Sequence, residues 1–432
     1  MTNERKKRLE PNKKSASDAS SREEKLAGRD ETATPENAAA ESVSKHRKWL
    51  KNLAALGVGC LFALILLEVG LRVVNPFPFR VKGQKIFLRA NQKEVYHNTA
   101  TAKLDSLIVH TKNQLGFRGE NPPDSLQEVL SVIAVGGSTT ECYFSTDGKD
   151  WPSMVFEELK GTFQPFWGNN AGLDGQSTFG HNVLLNDHLL KLEPKVLLFY
   201  VGINDIGYQE PNSFDRNTWQ DHNPTLKTWL IHHSELFNTL YNLMRAYRAK
   251  RYKLTHNLEL DLKAEEHLPL SPQQVAQKVE KYRQASYLSG YRRRLQSLID
   301  TCRRHGILPV FMTQPVLYGK GVDSVTGVDL GTLKIWADAN GEVVDSILGL
   351  YNETTRQVCR ENHCPLIDIA VQFPKNSRYY YDYYHYSNEG NLLLKKLVLR
   401  QLQCIIQDSF PEFLQDGEAF QTMVAASMEG ES

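Results

Sequence analysis

Val132-Ile133-Ala134-Val135-Gly136-Gly137-Ser138-Thr139-Thr140 joins an apolar run to two glycines and three hydroxyl residues. Unbroken apolar residues suit a central parallel strand buried on both faces. The glycines let the chain turn sharply without a Cβ penalty. Ser138 then falls just past the strand's carboxyl end, where open α/β sheets place their ligands. A serine there is a nucleophile or an ordinary turn residue, and the surrounding sequence has to decide.

Outward from this point the chain alternates. Apolar runs at 195–201, 307–313 and 366–369 read as further buried strands, and 162–170 leads through another to Asn170-Ala171-Gly172. Helical spacing fills the intervals at 151–160, 179–192, 286–305, 342–362 and 388–407. This alternation predicts a parallel sheet with helices on both faces, a domain over 129–410. The rhythm breaks over 211–280. There Leu226, Trp229, Leu230, Leu236, Leu240, Leu243, Met244 and Tyr247 mark an amphipathic helix or helical pair, which packs on the core or rims the site.

The amino-terminal part is of another kind. Residues 1–52 are polar, with a basic run Arg5-Lys6-Lys7-Arg8, and read as a disordered tail that cannot offset its ordering entropy. Residues 53–74 are apolar apart from Glu68 and Arg72, and about 22 such residues cross a bilayer. Lys45, His46, Arg47, Lys48 and Lys51 crowd the amino side, so the positive-inside rule leaves the N-terminus cytoplasmic. Asn75-Pro76-Phe77-Pro78-Phe79 offers no small-residue cleavage site. The reading is a single-pass anchor, an extracytoplasmic connector over 75–128, the α/β domain in the periplasm or outside the cell, and a tail over 411–432. A net charge of +1 gives no field that would gather nucleic acid. The cysteines fit no zinc spacing. Cys359 and Cys364 are either a short-loop disulfide or isolated buried thiols.

Four motifs stand in loops beside these elements: Gly136-Gly137-Ser138-Thr139-Thr140, Asn170-Ala171-Gly172, Gly202-Ile203-Asn204-Asp205 and Asp382-Tyr383-Tyr384-His385. Acyl transfer needs a nucleophile, a base, a group that orients the base, and donors for the oxyanion. Ser138, His385 and Asp382 can fill the first three roles. The backbone N–H groups of Ser138 and Gly172 and the Asn204 amide can fill the fourth.

In this order the motifs resemble the four blocks of the SGNH (GDSL-like) hydrolase superfamily, over about residues 129–407. Ser138, Gly172, Asn204 and His385 match the residues that name it, and Asp382 matches the family's Asp three residues before the His. Gly116-Phe117-Arg118-Gly119 and the edge of the apolar segment are similar to membrane-tethered bacterial members. One position departs: Gly137 stands where the family has the Asp of Gly-Asp-Ser. The resemblance implies a flavodoxin-like three-layer α/β/α fold and a cofactor-free serine esterase. The expected substrate is a short acyl ester, such as an acetyl group on a cell-surface or secreted glycan. A glycan O-acyltransferase using the same site, and a catalytically silent component of an envelope-glycan assembly, are the alternatives.

Overall fold

The computed structural model describes residues 35–74, 77, 81–82, 85–207, 226–251, 256–284 and 286–415. The expected tail up to residue 34, the start of the insertion at 211–225 and the residues beyond 415 lie outside the described residues. The chain divides into two units, Met1–Val74 and Asn75–Ser432.

Among its described residues the first unit contains one helix, α1 (Pro35–Val73). It begins well before Leu53. Ala38-Ala39-Ala40-Glu41 are strong helix formers, and no glycine or further proline interrupts the chain before Gly57, so the helix runs back into residues that read as tail. Within it His46–Val73 is long and apolar enough to cross a membrane. Arg72 Nε lies 2.8 Å from Glu68 Oε1, the pairing that four-residue spacing allows on a helix.

The second unit is a three-layer α/β/α domain. Its central strands are β1 (Leu130–Gly136), β2 (Phe166–Asn170), β3 (Val196–Tyr200), β4 (Leu308–Met312) and β5 (Leu366–Ile367). They lie in the order 2-1-3-4-5, and every pairing is parallel. That is the flavodoxin-like order, with its switch point between β1 and β3. All seven residues of β1 are buried, as an apolar run between two helical layers requires. The domain's helices include α2 (Ser138–Glu141), α3 (Trp151–Thr162), α4 (Thr178–Asp187), α5 (Leu226–His233), α6 (Glu235–Arg251), α7 (Pro272–Gln284), α8 (Tyr287–Arg304), α9 (Gly341–Glu361) and α10 (Asn388–Ser409). α3 packs on α10, whereas α8 packs on α4 and α9, and these groups form the two outer layers. The predicted insertion contains the helical pair α5 and α6.

Residues 75–128 are more than a connector. Phe117 and Leu126 join the core, and an antiparallel pair, Gln92–His97 with Leu107–Lys112, precedes the sheet. Cys359 and Cys364 are buried free thiols, and the Cys364 thiol donates to the Pro309 carbonyl at 3.0 Å.

Candidate active site

The turn after β1 is fixed by satisfying its carbonyls one by one. The Gly137 carbonyl accepts from Thr140 N and Glu141 N, and that of Ser138 from Cys142 N. The Thr139 carbonyl accepts from the Trp151 indole at 2.9 Å, and that of Thr140 from Asn170 Nδ2 at 2.6 Å. The carbonyls of Glu141 and Cys142 both accept from Arg118 Nη1 at 2.7 Å. The Arg118 guanidinium is itself buried. Its other nitrogen reaches the Ser145 carbonyl and Asp147, and Asp150 Oδ2 lies 3.4 Å away. A cation at the carboxyl end of α2 thus closes the helical turn that begins at Ser138. The Ser138 N–H makes no hydrogen bond among the described residues, as the first amide of a helix is free to do.

At the far end of the chain Ser387 caps α10 by accepting from Gly390 N at 3.0 Å. A Cβ on Gly390 would lie 1.9 Å from the Tyr379 carbonyl, so only glycine lets the helix start this close to the preceding loop. That loop carries Asp382 and His385. His385 Nε2 stands 2.8 Å from Ser138 Oγ, and His385 Nδ1 stands 2.7 Å from Asp382 Oδ2. Asp382 Oδ1 accepts the N–H groups of Tyr384 and His385, each at 2.8 Å. Burial alone would lower the affinity of His385 for a proton, but the charge and hydrogen bond of Asp382 prevail and raise its pKa above 6.5. Burial would raise Asp382, yet His385 and the donated N–H groups hold its pKa below 3.8. The pair is polarised so that His385 takes a proton while Asp382 stays ionised.

The other two motifs meet the same turn. Asn204 Nδ2 donates to the Gln176 carbonyl at 3.1 Å. A Cβ on Gly137 would lie 2.2 Å from that same Nδ2. In this chain a side chain at position 137 would crowd the Asn204 amide, which must then shift. Gly172 serves differently from the sequence expectation. Its N–H already donates to Asn170 Oδ1 at 2.9 Å, and a Cβ on it would lie 2.3 Å from Glu141 N. It is the glycine that lets the second motif pack against α2, and its amide is engaged. Three residues on, Gly175 has φ +67° with open space at its Cβ, and its N–H makes no hydrogen bond among the described residues.

Three participants were not read from the sequence. Asp205 accepts Thr178 Oγ1 at 2.5 Å and pairs with Arg294 at 3.0 Å, both charges buried, tying the Asn204 turn to the loop that carries Gln176. Arg118 appeared only within a turn motif. His256, from the insertion, lies with its ring centroid 4.0 Å from that of His385. The next residue donates its N–H to Asp382 Oδ2 at 3.2 Å. His256, Asp382 and His385 bring potential metal-ligating atoms within 4.8 Å of one another. Both nitrogens of His385 already have partners, so a metal ion bound through that ring would break its contact with Ser138 or Asp382.

The model of the GDSL-like lipase/acylhydrolase family matches residues 134–393, which contain Ser138, Asn204, Asp382 and His385. No curated protein matches the chain. Among solved structures, an acetyl xylan esterase is 15% identical, with 62% of this chain and 98% of that chain covered, at a TM-score of 0.37. An acetylxylan esterase from Geobacillus stearothermophilus is 13% identical, covering 63% and 93%, at 0.36. An alpha/beta hydrolase from the metagenome of Lake Arreo, Spain, is 12% identical, covering 63% and 95%, at 0.35. With a family match over more than half of its length, the chain belongs to the GDSL-like lipase/acylhydrolase family and is a serine hydrolase acting on ester bonds.

Proposed function

We propose that Ser138 is the nucleophile, His385 the general base and Asp382 the group that orients it. The observation that carries this is the continuous chain Ser138 Oγ–His385 Nε2–His385 Nδ1–Asp382, with links of 2.8 and 2.7 Å. His385 takes the Ser138 proton as Oγ attacks the ester carbonyl, and returns it to the departing alcohol. Water, deprotonated by the same ring, then attacks the acyl-serine and releases the acid. The oxyanion receives hydrogen bonds from the free Ser138 N–H and the Asn204 amide. In place of Gly172, the free N–H of Gly175 is the third donor, since it adjoins the Gln176 carbonyl that holds Asn204. Donors preset at the position where charge develops favour the transition state over the ground state.

The substrate is a short acyl ester, such as an acetyl group, on a cell-surface or secreted glycan. The enclosed nucleophile supports a small acyl group: Ser138 is only 8% exposed. The segment His46–Val73 tethers the chain to a membrane, with the N-terminus in the cytoplasm and the hydrolase outside it; its apolar length and the basic residues before it support this topology. The test is hydrolysis of 4-nitrophenyl acetate by the full chain in detergent. Ser138→Ala is expected to lose activity by roughly 10⁵-fold or more in kcat. Unchanged turnover by that variant would remove the proposal.

A further inference from the structure

His256 stands over the base with a polar group left unused. Its Nδ1 lies 2.6 Å from the Tyr381 hydroxyl. Burial holds the Tyr381 hydroxyl protonated, so it can donate to His256 Nδ1. Burial, reinforced by neighbouring His385, keeps His256 neutral down to about pH 4. With the Asp174 carboxylate 3.8 Å from Nε2, the ring carries its hydrogen on the nitrogen that faces the negative charge, and Nδ1 accepts from Tyr381. That Nε2 is buried and has no hydrogen-bond partner among the described residues. A buried donor without a partner costs free energy, and such groups are normally satisfied by protein, water or ligand.

Asp174 Oδ1 lies 3.8 Å from that Nε2, too far for a direct bond. A donor and an acceptor this far apart suit one hydroxyl group, which accepts from the N–H while donating to the carboxylate. Asp174 is held in place by its own backbone, whose N–H donates to Glu141 Oε2 at 2.5 Å. Beside the pair stands an aromatic wall. The Phe144 ring meets His256 edge-on at 5.1 Å, and the Tyr143 ring lies 6.4 Å from it.

We propose that His256 Nε2 and Asp174 form a hydroxyl-binding subsite for the alcohol part of the substrate, with Phe144 and Tyr143 beside it. The subsite adjoins the base that returns the proton to the alcohol, since the ring centroids of His256 and His385 are 4.0 Å apart. A hydroxyl neighbouring the esterified one, as on a sugar ring, meets this pair; a simple aryl alcohol offers nothing to it. The inference rests on the catalytic reading above and names the substrate class that the site selects: esters of polyhydroxylated alcohols. His256 touches substrate in this account, and through its ring contact it also positions His385.

The test compares two esters on the full chain in detergent: 4-nitrophenyl acetate and a mono-O-acetylated methyl glycoside. His256→Phe keeps an aromatic ring over His385 and removes the donor; Asp174→Asn removes the carboxylate. Each is expected to lower kcat/KM for the glycoside about 10- to 100-fold, mostly through KM, and to lower it for the aryl ester by a clearly smaller factor. Because one hydroxyl bridges both groups, the double variant should lose little more than either single one. Equal losses on both esters would overturn the subsite and leave His256 a positioning residue only. Fully additive losses would overturn the shared hydroxyl. Ser138→Ala run alongside separates the two levels: full activity there sinks the catalytic reading, whereas its loss together with equal effects on both esters sinks the subsite alone.

Discussion

Two imidazoles face each other in this site, and their surroundings push them in opposite directions. His385 sits in the loop before α10, with a partner on each nitrogen. Burial opposes its protonation, but the ionised Asp382 outweighs burial and raises its pKa above 6.5. His256 comes from the insertion and has only a tyrosine hydroxyl on one nitrogen. Burial goes unopposed by a bonded carboxylate, and its pKa falls to about 4. One ring is poised to take a proton and the other to remain a neutral donor. The difference is made by one carboxylate at hydrogen-bond distance, and it separates a group suited to proton transfer from one suited to recognition.

Among changes that break this comparison, the largest effect is expected at the carboxylate that makes the difference. Asp382→Asn keeps the shape but removes the charge and favours the wrong tautomer of His385. Its kcat on 4-nitrophenyl acetate should fall on the order of 10⁴-fold, a loss measured by steady-state kinetics. Next comes the turn beneath Ser138. Gly137→Asp would restore the residue usual in the family, yet it displaces the Asn204 amide. A loss of roughly 10²–10³-fold in kcat is expected, with the melting temperature nearly unchanged. A variant as active as the parent would refute the role given to Asn204.

Asp205→Ala reads stability instead. It removes the buried carboxylate that pairs with Arg294, so denaturant unfolding should show a loss of about 3–5 kcal/mol. The smallest effect is on the pH profile. Only neutral His385 accepts the Ser138 proton, and its pKa is raised. Activity is therefore full above that pKa and falls as the pH drops through it, so the acid limb of kcat/KM lies above 6.5. An acid limb near 4 would mean that the ring in use resembles His256 rather than His385.

Much of this was legible in the chain. Apolar runs of strand length mark β1, β3 and β4 because a doubly covered sheet leaves no polar face. Ser138, Asp382, Asn204 and His385 were legible because loops at strand ends are where open sheets expose side chains. What escaped depends on three-dimensional occupancy. Asn170-Ala171-Gly172 is visible as a motif, but that Asn170 takes the Gly172 N–H and leaves Gly175 free is a matter of which acceptor lies nearer. Arg118 has no periodicity to betray that it satisfies carbonyls beyond Ser138. His256 follows a helical insertion whose spacing reports only on packing, and nothing local signals that it lands on the base. Gly137 read as a departure from the family, and only the structure shows Asn204 against it.

The central claim is that Ser138 is an activated nucleophile. Labelling the full chain with a fluorophosphonate probe and locating the adduct by peptide mass spectrometry tests it most directly. The account predicts one adduct, on Ser138, formed rapidly by the parent chain, slowly by Asp382→Asn and not by Ser138→Ala. An unlabelled parent chain, or an adduct on any other residue, would contradict it.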